Sequence, residues 1–159
     1  MDQDHVAFDT PLIGAQVFIE PGQTPGEIDT WFRILQENRL GICRIRLFET
    51  YLRTPQGGWD FSLFDQAFQA ADKYGIQILL TLFPATPFTD VGGFKFPRTQ
   101  EHLEEIAAYI QQVVTHFRTS PALLGWVLIN EPGVGALPDE AFTHQQFEHW
   151  LQNQPPDSY

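Results

Sequence analysis

Leu123-Leu124-Gly125-Trp126-Val127-Leu128-Ile129-Asn130-Glu131-Pro132 is an apolar run that ends abruptly in an amide and a carboxylate. A short apolar stretch bounded by Gly and Pro fits a strand of a buried parallel sheet, and in a (β/α)8 barrel the C-terminal strand ends carry the active site. A Glu held there against an apolar wall has a raised pKa and can act as a general acid near neutral pH. Two solvated polar residues in a helix-capping loop would give the same triplet, so the rest of the chain has to decide.

Working outward, strand and helix patterns alternate. Leu12 to Phe18 reads as a first strand. Thr24-Pro25-Gly26-Glu27 has capping-box spacing with Pro at the first helical position, and Ile28, Trp31, Phe32 and Leu35 follow on one helical face. Ile42 to Phe48 is a second strand, followed by a turn-rich stretch through Pro55, Gly57 and Gly58. Ser62 to Tyr74 is a helix with Phe64, Ala67, Phe68 and Ala71 on one face and Gly75 as its stop. Ile76 to Phe83 is almost wholly apolar or β-branched, as expected of a strand covered on both faces. Thr99 caps a third helix with a stripe of Leu103, Ile106, Ala107, Ile110, Val113, Val114 and Phe117. Leu123 to Ile129 is the fourth strand, and Asp139 to Leu151 a fourth helix.

Four βα units in succession call for a parallel sheet, either open and doubly wound or closed into a barrel. The loop after the first strand, Phe18-Ile19-Glu20-Pro21-Gly22-Gln23, has no glycine-rich phosphate cradle. Every strand exit instead carries polar or aromatic side chains: Glu20, then Arg46, Phe48 and Glu49, then Phe83 and Thr86, then Asn130 and Glu131. That distribution favours the barrel with a sugar-sized cleft. Arg44 and Arg46 lie two apart and share a strand face, where a guanidinium is costly unless paired, so carboxylates are expected opposite them. They either form ion pairs within the barrel, or Arg44 orients and keeps ionised a catalytic carboxylate. Phe83 and Phe88 serve either as sugar platforms or as core, whereas Trp59 reads as core.

Composition narrows the functional classes. The 159 residues carry a formal net charge of −11, which disfavours nucleic acid and anionic membranes, whose binding rests on Lys and Arg. The single Cys43 sits in an apolar context and excludes disulfides or a cysteine zinc cluster within this chain. His144 and His149 are not spaced as metal ligands on a helix, so neither metal nor cofactor is expected. No apolar run is long enough to cross a bilayer and residues 1–12 do not resemble an export signal, so a cytoplasmic location is expected.

Residues 13–151 resemble the first half of a clan A glycoside hydrolase barrel, nearest to the catalytic domain of glycoside hydrolase family 42. Ile42-Cys43-Arg44-Ile45 through Phe48, with Gly58-Trp59-Asp60-Phe61-Ser62-Leu63-Phe64-Asp65, resembles that family's strand ending V-R-I and its F-D-F-S-x-L-D turn. Ile78-Leu79-Leu80-Thr81 with Ala85-Thr86-Pro87 resembles its third strand and A-T-P loop, and Gly125-Trp126 to Asn130-Glu131 its G-W-x-x-x-N-E strand. The resemblance implies a retaining glycosidase of β-galactosidase type. Glu131 would be the general acid/base, Asn130 the contact to the sugar 2-hydroxyl, and Arg44 the arginine beside the nucleophile, with Glu20, Arg46, Glu49, Phe83 and Phe88 as substrate-binding candidates. Pro132 departs from family 42, and Asn-Glu-Pro is commoner in family 5 glucanases and mannanases. The clan's nucleophile belongs to a seventh strand, so residues 1–159 are expected to form one N-terminal half of an α/β (β/α)8 barrel with only the first four βα units. Such a piece would be inactive alone, and would bind carbohydrate, self-associate or assemble with a complementary half.

Overall fold

The structure is a computed structural model that describes residues 13–84, 99–128, 130 and 141–154. Its elements are β1 (Gly14–Val17), α1 (Pro25–Glu37), β2 (Ile42–Phe48), α2 (Glu49–Leu52), α3 (Ser62–Tyr74), β3 (Gln77–Phe83), α4 (Gln100–Phe117), β4 (Leu123–Val127) and α5 (Ala141–Gln152). The four strands form one sheet in the order β1-β2-β3-β4, and every pairing is parallel. This is an α/β fold built from sequential βα units. The short α2, in the stretch read from sequence as turns only, is the one added element; Arg53 beyond it bridges back to Trp59.

Local chemistry explains the helix boundaries. The Thr24 hydroxyl accepts from the Glu27 backbone N–H while the Glu27 carboxylate accepts from the Thr24 N–H at 2.7 Å, which completes the capping box. α3 ends at Gly75 in the left-handed region (φ 67°), and β3 begins two residues later. Asp29 of α1 accepts from Lys73 Nζ (2.6 Å) and from the Tyr74 hydroxyl (2.8 Å), tying α1 to α3.

Strand alternation separates two faces. In β2, Cys43, Ile45 and Leu47 are fully buried and join Ile28, Phe32, Phe64, Ala67 and Val113 in the core. Ile42, Arg44, Arg46 and Phe48 therefore share the opposite face, which is only partly covered. A side chain at Gly14 would place its Cβ 2.3 Å from the Ile42 carbonyl oxygen, so glycine is required for β1 to approach β2. Between β3 and β4 the register shifts, with Leu123 opposite Ile78 but Gly125 opposite Leu79, leaving Leu124 as the extra residue of a bulge.

The stripe of α4 departs from the sequence expectation. His102, Tyr109, Val113 and Phe117 are its buried residues, and Ala107 is exposed. A tyrosine lies in the core because its hydroxyl finds backbone partners there, donating to the Leu47 carbonyl (2.7 Å) and accepting from the Phe83 N–H (3.2 Å). α5 covers the expected range to within two residues, yet none of its residues is buried and Phe147 stacks on Trp150 at its surface. Among the described residues no helix is long and apolar enough to cross a membrane, and no three His, Cys, Asp or Glu side chains gather as a metal site would require.

Candidate active site

Arg44 lies in the middle of β2, with Gln16 of β1 and Leu79 of β3 as its register neighbours. Its side chain runs toward the C-terminal end of the sheet. Nε donates to Thr81 Oγ1 at 2.8 Å, and an Nη2 proton goes to Asn130 Oδ1 at 2.5 Å. Thr81 is fully buried, and its hydroxyl gives Arg44 a fixed acceptor inside the sheet face. The carboxylates expected opposite the two arginines are not present among the described residues. Neutral oxygens and ring faces take their place, which is possible because this face is not fully enclosed and the desolvation penalty is correspondingly smaller.

An arginine only donates, so the Asn130 amide must turn its oxygen toward Arg44. Its NH2 group is then directed away, and no described residue accepts from it. A donor held in this way at a strand exit suits a sugar hydroxyl. Glu131 follows directly in the chain but lies outside the described residues, as do Thr86 and Phe88.

Arg46 stands opposite Thr81, one layer nearer the strand exits than Arg44. Its guanidinium carbon is 4.2 Å from the centroid of the Phe18 ring and 5.4 Å from that of Phe48. Phe48 in turn packs on its register partner Phe83, with centroids 4.6 Å apart. Phe83 is 4% exposed and completes the aromatic layer as a buried member. Glu49, at the start of α2, is also buried, and its carboxylate accepts from Arg53 Nε and Nη2 at 2.8 and 2.7 Å. Arg53 lies 3.8 Å over the Trp59 ring, which packs against the core. Burial pushes the Tyr109 phenol up, its hydrogen bond to Phe83 opposes this, and the nearby Glu49 charge raises it further, so the hydroxyl remains a fixed donor. Glu20 is exposed in the turn after β1, where its N–H donates to Gln23 Oε1 at 3.0 Å.

The structure thus brings together Arg44 and Asn130, with Arg46, Phe48 and Phe83 in the adjoining layer. Thr81 and Phe18 belong to the same constellation and were not singled out from sequence. Thr81 was legible only as one β-branched residue of an apolar strand, although its place two residues past Leu79 puts it on the arginine face.

A parallel sheet of sequential βα units is an α/β fold, and four such strands with polar groups at their exits fit part of a TIM barrel. Solved structures similar to it include glycoside hydrolases. The endo-1,4-β-D-mannanase from Thermotoga petrophila aligns with a TM-score of 0.62 at 21% identity, over 76% of this chain and 45% of that one. The β-galactosidase from Marinomonas ef1 aligns with a TM-score of 0.62 at 16% identity, over 87% of this chain and 25% of that one. In sequence, the chain is 29% identical over 90 residues to a probable mannan endo-1,4-β-mannosidase C of Aspergillus terreus, which covers 48% of this chain and 22% of that protein. The chain therefore spans about a fifth of that relative's length. No protein-family model matches it.

Proposed function

We propose that this chain carries the acid/base side of a retaining β-glycoside hydrolase. The observation that supports this most directly is the hydrogen bond from Arg44 to Asn130 across the strand exits, with Glu131 next in the chain. Retaining hydrolysis uses two carboxyl groups about 5–5.5 Å apart, one protonating the leaving oxygen and the other attacking the anomeric carbon. Glu131 takes the first role. Asn130, its amide oxygen tied to Arg44, presents NH2 to the sugar 2-hydroxyl, a contact that strengthens as positive charge develops at the anomeric carbon. The unused Nη1 protons of Arg44 are directed to the nucleophilic carboxylate, which a complementary set of βα units supplies.

Two substrate readings follow from different observations. The paired motifs around Arg44, Phe61 and Asn130 favour a β-galactoside, and the fungal mannosidase relative favours a β-mannan. The test is Glu131→Gln in the active protein. Turnover of unactivated β-galactosides, mannan and glucan should fall by about 10²–10⁴-fold, with activated aryl glycosides affected less because their leaving groups need little protonation. Unchanged hydrolysis of unactivated substrates would remove Glu131 from the acid/base role, and the substrate that wild type hydrolyses separates the two readings.

A further inference from the structure

Phe18 follows β1 directly, between the buried Val17 and Ile19, so alternation turns its ring to the face that bears Arg44 and Arg46, at the strand exits. It is 45% exposed, whereas Phe83 in the same aromatic layer is 4% exposed. The open ring is nonetheless fixed. The Gln23 side chain clasps the turn, with Nε2 donating to the Phe18 carbonyl at 3.0 Å and Oε1 accepting from the Glu20 N–H at 3.0 Å. Arg46 lies against the ring itself, its guanidinium carbon 4.2 Å from the centroid.

Arg46 is placed there at a cost. Its Nε is buried with no acceptor, although Nε of Arg44, two residues earlier, has Thr81. An N–H that loses water and gains no acceptor is destabilising. A buried Nε cannot meet a ligand, so Arg46 acts on the rings beside it: attraction to Phe18, and to Phe48 at 5.4 Å, is the interaction it does make. An ordinary surface phenylalanine needs neither the clasp nor the cation. A fixed, half-open ring on the face and at the end where Arg44 meets Asn130 suits the C–H face of a pyranose, because an aromatic held in place before binding loses little freedom when the sugar packs on it.

We propose that Phe18 is a specificity-determining contact for a sugar unit next to the one at Asn130, and that Arg46 is the positioning residue that holds its ring. This rests on reading the strand exits as a β-glycoside cleft and adds that binding extends over more than one sugar. β1 stands three strands from β4, about 14 Å along the sheet, so Phe18 meets a different unit from the one whose 2-hydroxyl contacts Asn130.

The experiment is titration calorimetry on the active protein in a Glu131→Gln background, which keeps the ligand intact. The ligands are a methyl β-glycoside and the β-linked trisaccharide of the sugar that wild type hydrolyses. Phe18→Ala should weaken the trisaccharide about tenfold and leave the single sugar within about twofold. Phe18→Tyr should restore trisaccharide binding to within about twofold. Arg46→Met, which leaves the ring in place without its cation, should weaken the trisaccharide about threefold. Thermal melts report whether each variant is folded; if Arg46→Met is not, the two Phe18 variants decide. Unchanged trisaccharide affinity in Phe18→Ala, or equal losses on both ligands, would overturn the proposal. So would a lowered melting temperature in Phe18→Ala with both affinities unchanged, which would show that complementary βα units cover the ring. Failure of the hydrolase reading looks different: wild type turns over no β-glycoside, or Glu131→Gln still cleaves the trisaccharide, while its Phe18-dependent binding stands.

Discussion

Arg44 in β2 and Asn130 beyond β4 are 86 residues apart in sequence and share a 2.5 Å hydrogen bond that fixes which way the amide faces. The chain crosses β3 between them, and Thr81 of that strand holds the arginine's Nε. The Asn130 amide is thus oriented by a side chain from another strand, which is itself anchored by a third.

Asn130 should therefore separate structure from chemistry. Asn130→Asp keeps an acceptor for Arg44 but presents no NH2, so the fold should be retained while turnover in the active protein falls by about 2–4 kcal/mol of transition-state stabilisation. The loss should be much smaller on a 2-deoxy glycoside, which lacks the hydroxyl that the amide would contact. Equal losses on the 2-hydroxy and 2-deoxy substrates would contradict this assignment.

Tyr109 joins α4 to the exits of β2 and β3. It is 0% exposed, so in Tyr109→Phe the Leu47 carbonyl and the Phe83 N–H lose their partner with no water to replace it. Stability should fall by about 1–3 kcal/mol, read as a lower urea midpoint at unchanged slope. A midpoint equal to that of wild type would show that the hydroxyl is dispensable.

The α1–α3 contact should make stability depend on pH at both ends of the scale. Hydrogen bonds from Lys73 and Tyr74 hold the Asp29 carboxyl below its usual range, and Asp29 holds Lys73 above its own. Asp29 therefore stabilises the fold above its unfolded pKa, and this is lost as pH falls through its lower folded value. Lys73 contributes below its ordinary range, and this is lost as pH rises through its higher folded value. The melting temperatures of wild type and Asp29→Asn should differ near neutrality and converge as pH is lowered toward about 2. A constant difference across that range would show that the Asp29 charge is not involved.

The order of elements was legible because periodicity and punctuation agree. The capping box at Thr24, the glycine stop at Gly75 and the apolar run through Leu80 each state their local structure without reference to the rest of the chain. Site partners were less legible. Arg44 and Arg46 announced an apolar strand with charges on one face, but whether carboxylates, hydroxyls or rings would meet them depends on register between distant segments. Local pattern does not encode that register. Charge pairing was the expected solution, whereas Thr81, Asn130, Phe18 and Phe48 provide another. Tyr109 was missed on α4 because its ring packs like a core residue while its hydroxyl uses backbone groups from two strands.

The outer edges of β1 and β4 have no strand partner among the described residues, and each edge is flanked by a large exposed apolar side chain: Ile13 at 66% and Leu128 at 70%. An unpaired parallel edge of this kind is a template for another strand, and neither edge carries the charged or proline residues that usually protect one. The 159-residue chain on its own should therefore associate as its concentration rises, or pair with added complementary βα units. Replacing Ile13 and Leu128 together by Lys should shift it toward monomer, because edge lysines oppose strand addition without touching the core. Light scattering coupled to size-exclusion chromatography measures this directly. A monodisperse monomer at every concentration in the unsubstituted chain would show that these edges are already satisfied.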